Sequence, residues 1–264
     1  MKRKVLISTN NNPNYKFYIP IVEFAWNKLG WDVVLLKTED TKDILINSET
    51  TEVYDIPKEE GIRSSTMAQC SRFFASDILD HEDLLQINDI DVIPLTNFWQ
   101  PNENEFTIFG HDTTGYGYIP IHYATAKVNK WHELMKCTGN FYEDLMREIN
   151  ISKDAYSKEW EKYWFADWDL FTKRCNEDAS RFTFIERGLV HIAKDVTAKS
   201  RIDRYDYERT INQPEIIDIH CHNDNVTRKE NIEMIKQCLL KYFGEVPAWF
   251  NEYVEYYKLE YQSL

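Results

Sequence analysis

Glycine and proline are scarce in this chain, with 8 of each among 264 residues. They form no tract that could act as a linker, and no internal repeat is present, so we predict one compact unit. The glycine-based signatures of dinucleotide-binding enzymes, phosphate-loop nucleotidases and serine hydrolases are all missing. These three classes of enzyme are therefore disfavoured.

Cysteine and long apolar runs are also limited. The five cysteines are odd in number, widely spaced and without a C-x-x-C pair, which argues against a disulfide framework or a zinc ribbon. No run approaches the roughly 18 apolar residues of a membrane span. The apolar stretch near the N-terminus is shorter than the about 7–15 residues of a secretory signal. We therefore expect a soluble cytoplasmic protein without a membrane span.

The chain has fewer basic residues than acidic ones. It contains 31 Lys and Arg residues and 44 Asp and Glu residues, which gives a formal net charge of −13. Binding to nucleic acid needs a basic face, so no nucleic acid is expected among the partners. Aromatic residues, by contrast, make up 14% of the chain. That content suits a large core, a surface on which sugars stack, or both.

Short apolar segments alternate with segments of helical periodicity in the first half of the chain. Residues 4–8, 32–36 and 83–88 have the pattern of buried strands. Residues 18–29 and 65–79 have the pattern of helices. Short strand–helix–strand connections favour right-handed parallel βαβ units.

The second half of the chain is more mixed. Four more strands and four more helices are predicted there, at 105–109, 119–125, 182–186 and 215–220 for the strands and at 127–150, 153–176, 228–244 and 247–260 for the helices. The sequence therefore predicts an α/β fold. It has a mostly parallel central sheet flanked by helices, a mixed C-terminal half and terminal helices.

The sharpest local feature is Asp89-Ile90-Asp91, which directly follows the apolar segment DLLQIN. Two carboxylates at i and i+2 share one side of an extended segment, and at a strand end both can approach one ligand. At the carboxyl edge of a parallel sheet, such a pair suits a hard divalent cation and a phosphate-bearing ligand. In an acidic chain, two solvated loop carboxylates can have the same Asp-x-Asp spacing by chance. The position of this pair between two apolar segments is what favours a ligand-binding site.

This arrangement resembles the GT-A glycosyltransferases, which use nucleotide sugars and carry an Asp-x-Asp metal motif. The segments that carry the resemblance are KVLIST, STMAQCSRFFAS, LLQINDIDVIPL, WFADWDLFTKR and DIHCHND. The resemblance implies a Rossmann-like sheet and Mn²⁺ or Mg²⁺ as cofactor. It also implies metal-dependent transfer of a sugar from a nucleoside diphosphate sugar to a hydroxyl of a glycan or glycoconjugate. Uridine is the more frequent base among such donors, an analogy at the level of the fold.

The resemblance divides the chain, residues 1–264, within one domain. Residues 1–100 would bind the donor, residues 101–225 would bind the acceptor, and residues 226–264 would form C-terminal helices. The sequence leaves the oligomeric state open.

On the donor side, the resemblance assigns the nucleoside pocket to three residues at the end of the first strand: Ser8, Thr9 and Asn10. Arg72, one helix before the metal motif, would face the donor diphosphate. A planar guanidinium suits that task because it donates two parallel hydrogen bonds. The alternative is an exposed helix arginine paired with Asp77 or Glu82.

For the metal, the resemblance implies that Asp91 binds the ion directly and that Asp89 holds the ribose, or the ion through water. A histidine far along the chain often completes the site in this family. His220 and His222 are the candidates here. We prefer His220 because strand alternation places it on the same side as Asp218.

On the acceptor side, an enzyme that inverts the anomeric centre needs a base to deprotonate the attacking hydroxyl. The resemblance points to Asp169 for this role, with Asp167 second. An enzyme that retains configuration needs no such base, and Asp169 would then only orient the acceptor. Trp168, between them, has the flat apolar surface on which a sugar face stacks.

Two other classes of function stay open. The segment Asp218-Ile219-His220-Cys221-His222 resembles the opening metal motif of amidohydrolases and related phosphoesterases, although no histidine follows it in the chain. A non-catalytic, carbohydrate-binding scaffold is the other alternative. Loss of Asp91 separates the classes, because only the transferase needs this residue for donor binding and activity.

Overall fold

Twelve strands are present in the computed structural model, which describes residues 1–110, 118–156, 165–192, 195–204, 207 and 216–261. In chain order, they are β1 (Arg3–Thr9), β2 (Asp32–Thr38), β3 (Glu52–Ile56), β4 (Leu84–Ile87), β5 (Val92–Pro94), β6 (Phe106–Phe109), β7 (Ala124–Lys127), β8 (Phe182–Ile185), β9 (Leu189–Ile192), β10 (Asp195–Ala198), β11 (Arg201–Asp203) and β12 (Asp218–His220). Seven of them form the central sheet.

The central sheet has the strand order β3-β2-β1-β4-β7-β6-β8. The first four strands are mutually parallel, β7 runs antiparallel to both of its neighbours, and β6 pairs with β8 in parallel. The predicted α/β fold with a mostly parallel central sheet is therefore confirmed. β1 is buried on both faces, as expected of a central parallel strand covered by helices.

A second sheet of three strands has the order β11-β12-β5. β12 is parallel to β11 and antiparallel to β5, so His220 lies opposite both Asp203 and Val92. β9 and β10 form a separate antiparallel pair. The three-stranded sheet matters for function because it joins the segment after β4 to a strand more than a hundred residues further along the chain.

The helices in the same part of the chain are α1 (Pro13–Lys16), α2 (Ile19–Lys28), α3 (Ser64–Ser71), α4 (Val128–Met135), α5 (Phe141–Tyr156), α6 (Ala166–Glu177), α7 (Lys229–Phe243) and α8 (Phe250–Tyr261). A 3₁₀ helix, Arg72–Asp77, continues α3. None of the helices in the described ranges is long and apolar enough to cross a membrane.

Several predictions about secondary structure need correction. The helix predicted at 127–150 is two helices, because Lys136 (φ 54°) and Gly139 (φ 89°) take left-handed conformations that end α4 before α5 starts. The strand predicted at 119–125 begins only at Ala124. Of the helix predicted at 153–176, residues 157–164 lie outside the described ranges, and α6 begins at Ala166.

Two apolar cores lie on opposite faces of the central sheet. Alternation along β1 sends Val5 and Ile7 into one core, with α2, α7 and α8, and sends Leu6 into the other, with α3 to α6. In the first core Phe17 stacks on Tyr253, with their ring centroids 5.6 Å apart. The helices therefore fix the sheet from both sides and leave its strand ends free to carry polar side chains.

Candidate active site

The candidate site lies where the strand order of the central sheet reverses. From β1 the chain proceeds outward to β2 and β3 on one side, and then returns to place β4 on the other side of β1. The loops after β1 and β4 therefore leave the sheet in opposite directions and open a crevice between them. In open α/β sheets, ligands bind in this crevice at the carboxyl ends of the strands.

The end of β1 contributes the three predicted nucleoside-pocket residues. Thr9 is buried, whereas Ser8 and Asn10 are half-buried. The Asn10 side-chain amide donates to Ser64 Oγ over 3.1 Å, which ties the strand end to the first residue of α3. All three residues are thus at the predicted edge of the sheet.

The segment Asp89-Ile90-Asp91 connects β4 to β5 at the same edge. The Asn88 side-chain amide donates to the carbonyl oxygens of Asp89 and Val92, at 2.9 Å each, and so fixes the turn. Ile90, between the two carboxylates, is buried in the apolar core. The two aspartates then meet different cationic partners.

Asp89 is held by Arg72. The guanidinium Nη1 donates to Asp89 Oδ1 over 2.6 Å, and Nη2 donates to Asp167 Oδ2 over 2.8 Å. Arg72 is only 5% exposed, so the alternative of an exposed arginine paired with Asp77 or Glu82 is wrong. A buried charge of this kind is stable only when it is paired.

The pKa of Asp89 is well below its usual range. Burial alone would raise it, but the positive charge of Arg72 and the neighbouring His122 outweigh burial. His122 Nδ1 lies 3.5 Å from Asp89 Oδ2. Burial lowers the pKa of His122 itself. Asp89 is therefore an ionised carboxylate that is 31% exposed at its side chain and already paired on both oxygens.

Asp167, at the start of α6, belongs to the same ion network. Its side chain is 3% exposed, and its Oδ1 accepts the backbone N–H of Trp168 over 2.9 Å. Burial raises the pKa of Asp167 to about 6, against the opposing charge of Arg72. Arg72 thus bridges one carboxylate at the crevice to another in the interior.

Asp91 belongs to a second network, which we call the open cluster: Asp91, Asp203, Arg204 and His220. Asp91 Oδ2 lies 3.1 Å from Arg204 Nη2 and 3.7 Å from His220 Nε2. His220 Nδ1 lies 3.2 Å from Asp203 Oδ2. The register explains the assembly, because β5 and β12 place His220 opposite Val92 while β11 and β12 place Asp203 opposite His220.

The donor set of Asp91 and His220 fits a divalent cation. A carboxylate oxygen and an imidazole nitrogen 3.7 Å apart suit one shared ion of the Mn²⁺ type. A cationic group, the Arg204 guanidinium, contacts both atoms. Two of the three predicted ligands are therefore together, whereas Asp89 turns to Arg72 and His122.

Among the described residues, the one group of three side chains with ligand atoms all within 4.8 Å of one another is Asp77, Cys137 and Asp144, not the predicted set. Asp144 is already bonded to Thr138 and paired with Arg147. The pKa of Asp77 is raised by burial and by the adjacent Asp144 charge. This group ties the start of α5 to the end of the 3₁₀ helix.

Asp218 belongs to a third network, which we call the closed cluster: Arg187, Asp218 and Arg201. Both arginines make two hydrogen bonds each to the Asp218 carboxylate, at 2.8–3.0 Å. His222 meanwhile pairs with Asp224, with Nδ1 and Oδ1 3.5 Å apart. The Asp-x-His-x-His segment is thus not assembled as a metal site, because its carboxylate is saturated by guanidinium groups.

Asp169, the predicted acceptor base, is half-buried on α6. Its charge is the largest cause of the raised pKa of Tyr118, to which it is hydrogen-bonded. The rings of Tyr118 and Trp168 meet edge to face with centroids 5.7 Å apart. Asp169 therefore lies beside an aromatic pair and outside the Arg72 network.

Four residues at the site were not found from the sequence: Tyr15, His122, Asp203 and Arg204. The pKa of Tyr15 is raised to about 12 by burial and by the charge of Asp91, which places the phenol near that carboxylate. Asp203 and Arg204 lie in the segment RIDR, whose short alternation of polar and apolar residues was the available signal of a strand. His122, between two apolar residues, gave no signal.

No protein-family model matches the chain, and no curated protein is similar to it in sequence. Among solved structures, it is similar to galactosyltransferase LgtC in complex with donor and acceptor sugar analogues. That match has 11% identity and a TM-score of 0.48, over 95% of this chain and 99% of LgtC. Glycosyltransferase GlyE of Streptococcus pneumoniae TIGR4 is similar at 13% identity and a TM-score of 0.49, over 96% of this chain and 64% of GlyE. Both proteins are glycosyltransferases, the class of enzyme that the sequence resembles.

Proposed function

We propose that the chain is a glycosyltransferase that moves a hexose, pentose or deoxyhexose from a nucleoside diphosphate sugar to a hydroxyl of a glycan or glycoconjugate. The observation that supports it best is the position of Asp89-Ile90-Asp91 at the reversal of the strand order, beside a buried arginine. Phosphate-bearing ligands bind at this point of open α/β sheets. A uridine nucleotide is the first donor to test, by the resemblance of the sequence.

The chemistry that the site needs is stabilisation of the departing diphosphate. Asp91 and His220 would hold Mn²⁺ or Mg²⁺, and Asp89 would contact the ribose or reach the ion through water. The ion would supply positive charge to the diphosphate without any change of protonation. Arg72 already donates to Asp89, Asp167 and Gln69, so it would act on the diphosphate as a fixed nearby charge and not by direct contact. Such preorganised charge costs no rearrangement during the reaction.

The nucleoside would lie over the end of β1. Ser8 and Asn10 are half-buried there and offer hydroxyl and amide groups to a base or ribose, and Thr9 supports them from a buried position. These side chains combine donors and acceptors, so they suit the mixed hydrogen-bonding edge of a pyrimidine base.

The two aspartates of α6 would have different roles. Asp169 is half-buried beside Tyr118 and Trp168, so it is accessible to an acceptor hydroxyl and serves as the base in an inverting reaction. Asp167 is nearly inaccessible, with 3% of its side chain exposed, and both of its oxygens are bonded. We therefore assign Asp167 to the positioning of Arg72.

Calorimetric titration of UDP and then GDP, with and without Mn²⁺, tests the proposal. The wild type is compared with Asp91→Ala and with Asp178→Ala, a matched control on an exposed carboxylate. We expect UDP binding in the micromolar range that requires Mn²⁺, persists in the control and disappears in Asp91→Ala. Binding of neither nucleotide by the wild type, or binding indifferent to both Mn²⁺ and Asp91, would overturn the proposal.

A further inference from the structure

Arg204 occupies the place of a cation in the open cluster. Its Nη2 lies 3.1 Å from Asp91 Oδ2 and also contacts His220 Nε2. The side chain is 8% exposed. Its Nε is buried without a hydrogen-bond partner. Among the described residues, this guanidinium therefore makes its contacts through Nη2, unlike that of Arg72, whose three nitrogens all donate.

The imidazole of His220 contacts one partner at each ring nitrogen. Nε2 faces the Arg204 guanidinium, and Nδ1 lies 3.2 Å from Asp203 Oδ2. Metal-ligating histidines commonly have one ring nitrogen bonded to a carboxylate and the other directed at the ion. Arg204 therefore occupies the side of His220 that would face a metal ion.

The same two atoms cannot serve the guanidinium and a divalent cation together. We propose that Arg204 is an internal counter-ion, which holds the cation position while no donor is bound, is displaced when the divalent cation enters, and then pairs with the donor diphosphate. The proposal rests on the proposed function for its last step only. A guanidinium suits that step because its fork of N–H groups matches phosphate oxygens.

This exchange predicts how the metal and the nucleotide depend on each other. Without nucleotide, the ion must break the contacts of Arg204 with Asp91 and His220, and no diphosphate is present to receive the released guanidinium. With nucleotide, the diphosphate receives the released guanidinium. The affinity for the ion therefore rises when the nucleotide binds. By linkage, the affinity for the nucleotide rises by the same factor when the ion is bound.

Titration of Mn²⁺ alone into the nucleotide-free protein tests the exchange. Arg204→Gln removes the internal cation, so we expect it to bind Mn²⁺ on the order of tenfold more tightly than the wild type. Arg204→Lys keeps a positive charge and should bind Mn²⁺ more weakly than Arg204→Gln. Arg181→Gln, at an exposed arginine, controls for the change in net charge. Circular dichroism and thermal unfolding confirm that each variant is folded.

A second titration adds UDP. In the wild type, UDP should increase the affinity for Mn²⁺ by a larger factor than in Arg204→Gln, where the competing guanidinium is already gone. Unchanged or weaker binding of Mn²⁺ by folded Arg204→Gln would overturn the inference, whatever UDP does. Tighter Mn²⁺ binding by Arg204→Gln without any UDP binding would instead support the displacement step and refute the proposed function.

Discussion

The closed cluster and the open cluster lie on the same three-stranded sheet, and both join aspartate to arginine. In the closed cluster, Asp218 is 0% exposed and receives four hydrogen bonds from Arg187 and Arg201. In the open cluster, Asp91 meets one arginine among the described residues. The side chain of Asp91 is 10% exposed and that of His220 is 26% exposed. Asp218 and His220 are two positions apart on β12, yet Asp218 belongs to a saturated ion network and His220 belongs to an incomplete one.

The difference between the clusters shows two properties by which structural charges can be told from functional ones: the burial of the carboxylate and the number of its hydrogen-bonding positions that are occupied. A carboxylate with every lone-pair direction occupied has no capacity for a ligand, and removal of one partner leaves an uncompensated buried charge. A carboxylate with one cationic partner and a route to solvent can exchange that partner. By this criterion, we expect Asp218 to maintain the fold and we propose Asp91 as the residue that binds a ligand.

The largest effect on stability is expected at Asp218. Asp218→Ala leaves Arg187 and Arg201 buried together without their counter-ion, so the free energy of unfolding should fall by about 3–5 kcal/mol. Urea denaturation followed by tryptophan fluorescence measures it. Asp178→Ala, at an exposed ion pair, should change the same quantity far less, because solvent screens that pair. Equal effects of the two substitutions would remove the distinction between the clusters.

For the network of Arg72, Asp89 and Asp167, we expect an effect on stability between those of the closed and open clusters. The pH dependence of this effect sharpens the comparison of the two clusters. Burial raises the pKa of Asp167 to about 6 in the folded protein, above the value of about 3.9 in an unfolded chain. Its contribution to stability is therefore full below about pH 4 and is lost as the pH rises through about 6. Relative to Asp167→Asn, the wild type should lose up to about 3 kcal/mol between pH 4 and pH 7.

Denaturation of both proteins at a series of pH values gives this difference directly. Because Asp89 and Arg72 are present in both proteins, their own titration largely cancels. A wild type that instead gains stability over Asp167→Asn as the pH rises would show that pairing with Arg72 outweighs the burial of Asp167.

A smaller loss of stability is expected at Ser200, which supports the closed cluster from outside. Its hydroxyl oxygen accepts two hydrogen bonds from Arg187, at 3.1 and 3.0 Å. Ser200→Ala should lower the free energy of unfolding by about 1.5 kcal/mol, a typical value for hydrogen bonds to a charged group. UDP binding in the presence of Mn²⁺ should stay unchanged. A loss of that binding would link the closed cluster to the active site.

The smallest effect on stability is expected at Asp91. Asp91→Asn keeps an oxygen for Arg204 and relieves no saturated network, so the free energy of unfolding should change by about 1 kcal/mol or less. The same substitution should remove metal-dependent nucleotide binding. A stability loss as large as that of Asp218→Ala would mean that Asp91 is a structural ion pair and would contradict the functional assignment.

The strands β1, β2 and β4 could be predicted from the sequence because they are short apolar runs. β3 was not predicted, because polar residues alternate with apolar ones along it. Asp89 was selected by its place after a predicted strand, whereas Arg72 was selected by the resemblance to the GT-A glycosyltransferases. The burial of Asp167 against Arg72 could not be predicted, because 95 positions separate them and no local pattern reports such a contact. Lys136 was missed as a helix end because its left-handed conformation is unusual for a residue other than glycine.

The open cluster shows the same limit more sharply. His220 was selected by alternation along its own strand, which correctly predicted that Ile219 turns into the core. Its partners were not predictable, because Asp91 and Asp203 reach it only through the register of β5 and β11 against β12. Arg204 follows β11 by one residue, and nothing in the segment RIDR distinguishes it from the structural Arg201.

The pairing of β5 with β12 also determines how early during synthesis of the chain the open cluster can form. Pro94 pairs with Asp218, so 218 − 94 = 124 further positions must be synthesised before the partner strand emerges, or roughly 6–25 s at about 5–20 residues per second. During that interval Asp91 has neither His220 nor Arg204 beside it. A nascent chain of about the first 200 residues therefore lacks the open cluster, and any binding that depends on His220 can begin only late in biosynthesis.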